Sequence, residues 1–193
     1  EAGYLNLRPV NCDICLLLEA IIDSVRPYAM QQQLELIYNR PPEPLFASVD
    51  LEKFDRIALN LLSNSIKFTK PGGVITTSVY ASEDKIHISV KDTGIGIPLE
   101  KQEVIFERFM QSGNNTFEEN GGSGLGLSLV RSFVKLHGGN VRIISEPGKG
   151  SEFIVDLPKA HDGGQSVDNK FADFNFHLKE AAKIEFSILN PSA

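Results

Sequence analysis

Between Leu51 and Lys70 one stretch, LEKFDRIALNLLSNSIKFTK, carries apolar side chains at Phe54, Ile57, Ala58, Leu61, Leu62 and Ile66 and polar ones at Asn60, Asn64 and Lys67. The apolar set recurs at helical period and forms a stripe for burial. The polar set is spaced four and then three residues, so its side chains share another face of the same helix. Asp50 stands before the stretch as a cap, and Pro71, Gly72 and Gly73 end it. A polar stripe kept on an otherwise apolar helix wants a ligand.

The flanking sequence supplies a second layer. Asp13 can cap an earlier helix whose apolar positions are Leu16, Leu17, Ala20, Ile21 and Val25; it runs to about Arg26 or Tyr28, and Pro27 marks a bend or an end. LELIYN at 34–39 alternates like a strand until RPPEP breaks it, and a loop leads to Asp50. VITTSVYAS and KIHISVKDT read as two strands joined by a turn around Glu83 and Asp84, a hairpin that ends at DTGIG, residues 92–96. Residues 99–111 have helical character, with Val104, Ile105, Phe106 and Phe109 apolar. SGNNTFEENGGSG follows with few groups able to pack, as in a disordered segment or a functional lid. A helix LGLSLVRSFVKLHG, stopped by Gly138 and Gly139, precedes strands NVRIISE and SEFIVDLP and their PGKG turn. The outline is α+β: a two-layer sandwich with helices on one face of a mainly antiparallel mixed sheet.

With 193 residues and 41% hydrophobic side chains, the chain can bury the core of one domain plus a tail. A net charge of −6, with Lys and Arg scattered singly, argues against nucleic acid or an anionic membrane as partner. Any bound phosphate must be met by local donors. No apolar run approaches the roughly 20 residues of a membrane span, and no basic region followed by an apolar segment opens the chain. The expected location is cytoplasmic, without membrane contact by this fragment, and a longer parent is free to carry an anchor. Cys12 and Cys15 form a CxxC without the second pair that zinc requires; beside the Asp13 cap they read as small packing residues with free thiols.

The glycine signatures give the polar stripe a chemistry. Asp92, at a strand end, can accept a hydrogen bond from an exocyclic amine, and Gly94 and Gly96 let the backbone approach a flat ligand. Asp-x-Gly is also ordinary turn chemistry, so DTGIG alone leaves turn and site both open. GGSGLGL, 121–127, opens directly into a helix, where free N–H groups and the positive end of the dipole suit phosphate. It lacks the Lys-Ser/Thr ending of a P-loop and does not follow the first strand of a βαβ unit; alone it is a weak signal, and a flexible hinge is the bland reading. Asparagine amide oxygens suit magnesium when waters and phosphate oxygens complete its shell.

In this order and spacing, NLLSNSIKFT resembles the N box, DTGIG the first glycine box, IFERFMQ the F box and GGSGLGL the second glycine box of sensor histidine kinases. These belong to an ATPase superfamily shared with DNA gyrase, mismatch-repair ATPases and heat-shock chaperones, whose fold is of the Bergerat type. The resemblance covers about residues 1–158, LHGG at 136–139 and GKGSEF at 148–153 included. It implies ATP and Mg2+ as ligands. Asn64 would ligate magnesium with support from Asn60, Lys67 would contact phosphate, and Phe68 would line the nucleotide pocket. Asp92 would bind the adenine amino group, Gly94, Gly96 and Ile97 would shape the pocket wall, and Ser151 would reach adenine through water. Gly122, Gly124, Leu125, Gly126 and Leu127 would wrap the phosphates. Phe106 and Phe109 would anchor a lid at 112–123, with Arg108 as a γ-phosphate partner and Gln111 a weaker one.

One position separates kinase from hydrolase. Hydrolysing relatives hold a glutamate four residues before the magnesium asparagine, and here that residue is Asn60. An amide cannot take a proton from water, so direct hydrolysis lacks its base. The resemblance implies γ-phosphoryl transfer to a histidine imidazole on the protein's own dimerisation domain, with Asn60, Lys67 and Arg108 at the reacting end, and a response-regulator receiver domain as the next partner. His87 lies in a strand pattern, His137 at a helix end, and His161 and His177 in the tail, so none reads as the acceptor. Residues 1–8 would be the end of a linker from a dimerisation domain absent from this fragment, 9–158 the catalytic domain, and 159–193 a linker and an apolar tail. A nucleotide-responsive regulatory module and an ATP hydrolase stand as the alternatives.

Overall fold

The structure, a computed structural model, describes residues 6–107, 126–160, 178 and 180–186. It opens with a short strand β1 (Val10–Asp13) and helix α1 (Ile14–Gln31), whose first turn is capped by Asp13 accepting from the Cys15 N–H at 2.9 Å. Pro27 lies inside α1 instead of ending it. Losing one backbone hydrogen bond there is offset by Val25 and Ala29, both fully buried on either side of the proline. Cys12 and Cys15 are free and buried, and burial first, then the Asp13 charge, pushes their thiols up to about 12 and about 11. They are inert packing groups.

Strand β2 (Glu35–Asn39) follows, then β3 (Phe46–Val49), which pairs with β1 in a separate two-stranded ribbon with Val10 opposite Val49. Sequence reading leaves 46–49 as loop and does not separate β1 from the first helix, because four-residue strands show too little alternation to register. Helix α2 (Leu51–Phe68) is capped by Asp50, which accepts from the Lys53 N–H at 3.2 Å. Its buried face carries Phe54, Ile57, Ala58, Leu61, Leu62 and Ile66, as the periodicity predicts. Two asparagines and two serines each cost α2 a few tenths of a kcal/mol in propensity, whereas each fully buried Leu or Ile contributes roughly 1.5–3 kcal/mol. The apolar stripe decides the matter.

The main sheet has the order β2, β4 (Val74–Ala81), β5 (Lys85–Asp92), β7 (Gly150–Pro158), β6 (Asn140–Glu146). Only β2 and β4 run parallel. Ile75, Ile86, Ile88, Val90, Phe153, Val155 and Leu157 are buried in one core with α1, α2 and helix α4 (Gly126–Leu136). The opposite sheet face is polar, with His87 between Asp156 at 2.7 Å and Ser82 at 3.0 Å. This is the expected α+β sandwich. The helical reading of 99–111 is corrected in part: α3 is only Leu99–Gln102, followed by a single 3₁₀ turn, Val104–Phe106, in which Phe106 is buried edge-on to Phe153. Phe109, Gln111 and the lid at 112–123 lie outside the described residues.

Gly138 has φ +72° and follows α4, as its role of helix stop requires. His137, just before it, donates from Nδ1 to the Phe133 carbonyl at 2.7 Å and accepts the Asp50 N–H at Nε2, 3.0 Å, tying the end of α4 to the start of α2. It is a structural histidine, as is His87; His161 and His177 lie outside the described residues.

Candidate functional site

The alternation that buries Ile86, Ile88 and Val90 carries through to Asp92, so the last residue of β5 turns a carboxylate inward towards the helices. One of its oxygens is committed. Oδ1 accepts the Gly94 N–H at 2.8 Å and the Ser151 N–H at 3.2 Å, while among the described residues Oδ2 meets only the Ser65 hydroxyl, at 3.4 Å. Burial raises the Asp92 pKa from its ordinary value, although the Gly94, Ser151 and Ser65 donors act to lower it. A buried carboxyl with one oxygen tethered and the other lightly held can take an amine donor from a ligand.

The loop after Asp92 is fixed on three sides. The Ile95 N–H bonds the Phe68 carbonyl at 3.2 Å, the Gly148 N–H bonds the Ile95 carbonyl at 2.7 Å, and the Ile97 N–H bonds the Ser145 hydroxyl at 2.7 Å. Ser145 in turn donates to the Gly150 carbonyl and meets the Ser151 hydroxyl, each at 2.9 Å. Gln102 closes the set, donating to the Ile97 and Ser145 carbonyls at 2.9 and 2.8 Å. A Cβ on Gly94 would press on the Phe68 carbonyl, and one on Gly96 would collide with the carbonyl of Glu146. Gly96 also has φ +70°.

Replacing Gly96 by alanine is therefore expected to cost about 2 kcal/mol or more from left-handed strain and collision. The readout is thermal unfolding, with Tm lower by about 5 °C for a chain of this size. Gly72→Ala is the control, since it shares a positive φ but has nothing within 4 Å of the added carbon; its loss should be smaller.

On α2 the polar stripe lies half-buried, and its members differ. Asn60 spends its amide N–H on the Arg56 carbonyl at 2.7 Å, leaving Oδ1 free to point at Gly126, where any Cβ would strike it. The first turn of α4 thus lies directly against Asn60. Asn64 makes no side-chain hydrogen bond among the described residues, so its whole amide is available. Lys67 is half-buried beside the Phe68 ring, 5.2 Å from its centroid, and burial pulls its pKa below the ordinary lysine value. Asn60 lies against the start of an eleven-residue helix, and Asn64 and Lys67 follow it at spacings of four and three along α2. That donor set fits a triphosphate with a hard divalent cation.

Of the sequence-predicted residues, the structure brings Asn60 to Gly126 and Asp92 to Ser151, and joins Ile97 to that group through Ser145. Leu127 and Ile97 pack partly buried against the core. Arg108, Gly122, Gly124 and Leu125 lie outside the described residues. Sequence reasoning missed Ser65, Ser145 and Gln102. Ser65 was legible as a hydroxyl on the buried side of α2, whereas Ser145 and Gln102 carry no local signal.

The family described as "Histidine kinase-, DNA gyrase B-, and HSP90-like ATPase" matches residues 49–161. Sensor histidine kinase TmoS of Ectopseudomonas mendocina is 39% identical over 170 residues, covering 88% of this chain and 17% of TmoS. The chain thus spans about a sixth of that relative's length. The solved structure of full-length ShkA in complex with AMPPNP superimposes with TM-score 0.73 at 28% identity, covering 84% of this chain and 34% of ShkA. The catalytic domain of histidine kinase ThkA has the same fold, with TM-score 0.69 at 24% identity over 79% of this chain and 96% of the ThkA chain.

Proposed function

The chain belongs to the family of histidine kinase-, DNA gyrase B- and HSP90-like ATPases, and from that membership we propose that residues 9–158 form the ATP-binding catalytic domain of a two-component sensor histidine kinase. Its reaction is transfer of the γ-phosphoryl group of ATP to a histidine imidazole on a dimerisation domain, with a response-regulator receiver domain as the next acceptor. The observation that carries this reading is the division of labour across the site. Asp92 has one carboxylate oxygen held only by a long contact from Ser65, suited to the adenine amine, and Asn64 follows Asn60 on α2, where the start of α4 lies against Asn60, suited to phosphate and metal.

In this reading Asn64, supported by Asn60, would hold magnesium, which would supply charge neutralisation to the bound phosphates. Lys67 adds a positive charge whose partial burial strengthens its pull on phosphate. The α4 N–H groups at Gly126 and Leu127, with Gly122, Gly124 and Leu125 before them, fix the phosphate oxygens, and Arg108 meets the γ-phosphate. Ser151 reaches adenine through water while its own N–H steadies Asp92. Asn60 makes hydrolysis the poorer reaction, because neither its committed N–H nor its amide oxygen can serve as a base for water. The γ-phosphoryl group is kept for a nucleophile that needs no deprotonation, and a neutral imidazole is one.

Equilibrium binding of AMPPNP, measured by calorimetry with and without magnesium, tests the site. Saturable binding strengthened by magnesium supports the reading; heat indistinguishable from buffer dilution in both conditions would end it.

A further inference from the structure

Helix α4 meets α2 at both of its ends. At its start, any Cβ on Gly126 would strike the Asn60 Oδ1. At its finish, His137 Nε2 accepts the Asp50 N–H at 3.0 Å while Nδ1 reaches the Phe133 carbonyl at 2.7 Å. Along α2 the two points are ten residues apart and along α4 eleven, which at the helical rise is about 15 and about 17 Å. The helices therefore run antiparallel with nearly equal spans between their contacts. A rod held at one point can swing, whereas one held at two has a single setting against its neighbour.

The partners decide which nitrogen of His137 carries the proton. A carbonyl only accepts and a backbone N–H only donates, so Nδ1 bears the hydrogen and Nε2 the lone pair. Asp50 is a firm anchor for this bond. Its buried carboxylate accepts the Arg8 N–H at 2.9 Å, the Lys53 N–H at 3.2 Å and the Lys53 ammonium at 2.8 Å. The chain beyond His137 is held separately. The Gly139 N–H bonds the Val134 carbonyl at 2.9 Å, and Gly139 lies so close to β7 that a Cβ would strike the Asp156 carbonyl. Loss of the His137 bridge therefore leaves α4 on the sheet and frees only its setting against α2.

We propose that His137 is a positioning residue for the phosphate end of the site: by fixing the end of α4 to the cap of α2, it sets the first turn of α4 against Asn60. The positioning role rests on the nucleotide reading given above; the bridge does not. Its effect falls on phosphate and spares adenine, because Asp92 takes its two N–H tethers from Gly94 and from Ser151 of β7, away from α4. Two variants divide the imidazole. The amide nitrogen of asparagine stands where Nδ1 does, so His137→Asn keeps the bond to the Phe133 carbonyl and drops the one to Asp50. The amide oxygen of glutamine stands where Nε2 does, so His137→Gln keeps the bond to Asp50.

Residue-resolved hydrogen exchange of the full chain without ligand reads the bridge at the Asp50 amide itself. Protection there is expected to fall by about tenfold or more in His137→Asn, with β5 and β7 unchanged, and to return in His137→Gln. Calorimetry should show AMPPNP bound roughly three- to tenfold more weakly by His137→Asn, the effect of one hydrogen bond, with adenosine affinity unchanged and AMPPNP affinity recovered in His137→Gln. An Asp50 amide protected equally in the wild type and His137→Asn would overturn the bridge. Unchanged AMPPNP affinity in His137→Asn, an equal loss for adenosine, or no recovery in His137→Gln would overturn the positioning role. No AMPPNP binding by the wild type while Asp50 stays protected would overturn the nucleotide reading, and the positioning role with it, and leave the bridge standing.

Discussion

Asp92→Asn should bind ATP analogues roughly 30- to 150-fold more weakly, the effect of about 2–3 kcal/mol for a hydrogen bond to a charged acceptor, while unfolding at nearly the wild-type temperature. The asparagine carbonyl can keep the tethers from the Gly94 and Ser151 N–H groups, now at 2.8 and 3.2 Å, and its amine can meet the Ser65 hydroxyl where Oδ2 stood. What changes is the face shown to the base. An acceptor for the adenine amine becomes a donor, so the preference for ATP over GTP should narrow or reverse, because guanine offers a carbonyl at that position. Asp92→Ala is the poorer test, since it also orphans two buried N–H groups at about 1–3 kcal/mol each. Calorimetry with AMPPNP and a GTP analogue, paired with thermal unfolding, separates the two effects.

The same carboxyl sets a pH dependence. On the proposed reading adenine binding favours the ionised form, and burial raises the Asp92 pKa. Affinity should therefore begin to fall on acidification above the range in which an ordinary aspartate titrates. In Asp92→Asn that fall should be absent.

Asn64→Ala is the second large effect. Its side chain has no hydrogen bond among the described residues and lies half-buried at the rim, so its removal should leave stability within about 0.5 kcal/mol, as for a surface substitution. Phosphoryl transfer should fall by about 100-fold or more, the usual consequence of deleting one group aimed at developing charge. The advantage that magnesium gives to AMPPNP binding should largely vanish, while adenosine, which presents no phosphate, should bind Asp92 unchanged. Equal loss for adenosine would mean that Asn64 shapes the pocket as a whole and does not serve the metal end.

Much of this architecture was legible because helical period and glycine punctuation agree with it. The α2 stripe, the β4 and β5 hairpin, the cap at Asp50 and the stop at Gly138 all follow from local residues. Pro27 misleads because its local cost is real, and only the burial of Val25 and Ala29 shows why α1 continues. Strands β1 and β3 are too short to announce themselves and exist through pairing with each other. At the site, spacing groups Asn60, Asn64 and Lys67, but it cannot tell that Asn60 has spent its amine and Asn64 has not. Ser145 is distant in sequence from Asp92 and joins it only when β6 lies beside β7, and Gln102 at the end of α3 shows its role only through its bond to the Ser145 carbonyl. The tail shows its apolar residues in sequence, yet the stack of Phe186 on Tyr28 and the Glu185 contact with Ser63 are purely tertiary.

On the proposed reading, an amide at position 60 keeps the γ-phosphoryl group for transfer. The most direct measurement incubates the chain with γ-labelled ATP, magnesium and a dimerisation domain bearing an acceptor histidine, and follows both products. The predicted result is label on that histidine, lost in acid and stable in base, with negligible phosphate release by the chain alone. Steady release of free phosphate by the chain alone, with no phosphohistidine formed, would contradict it.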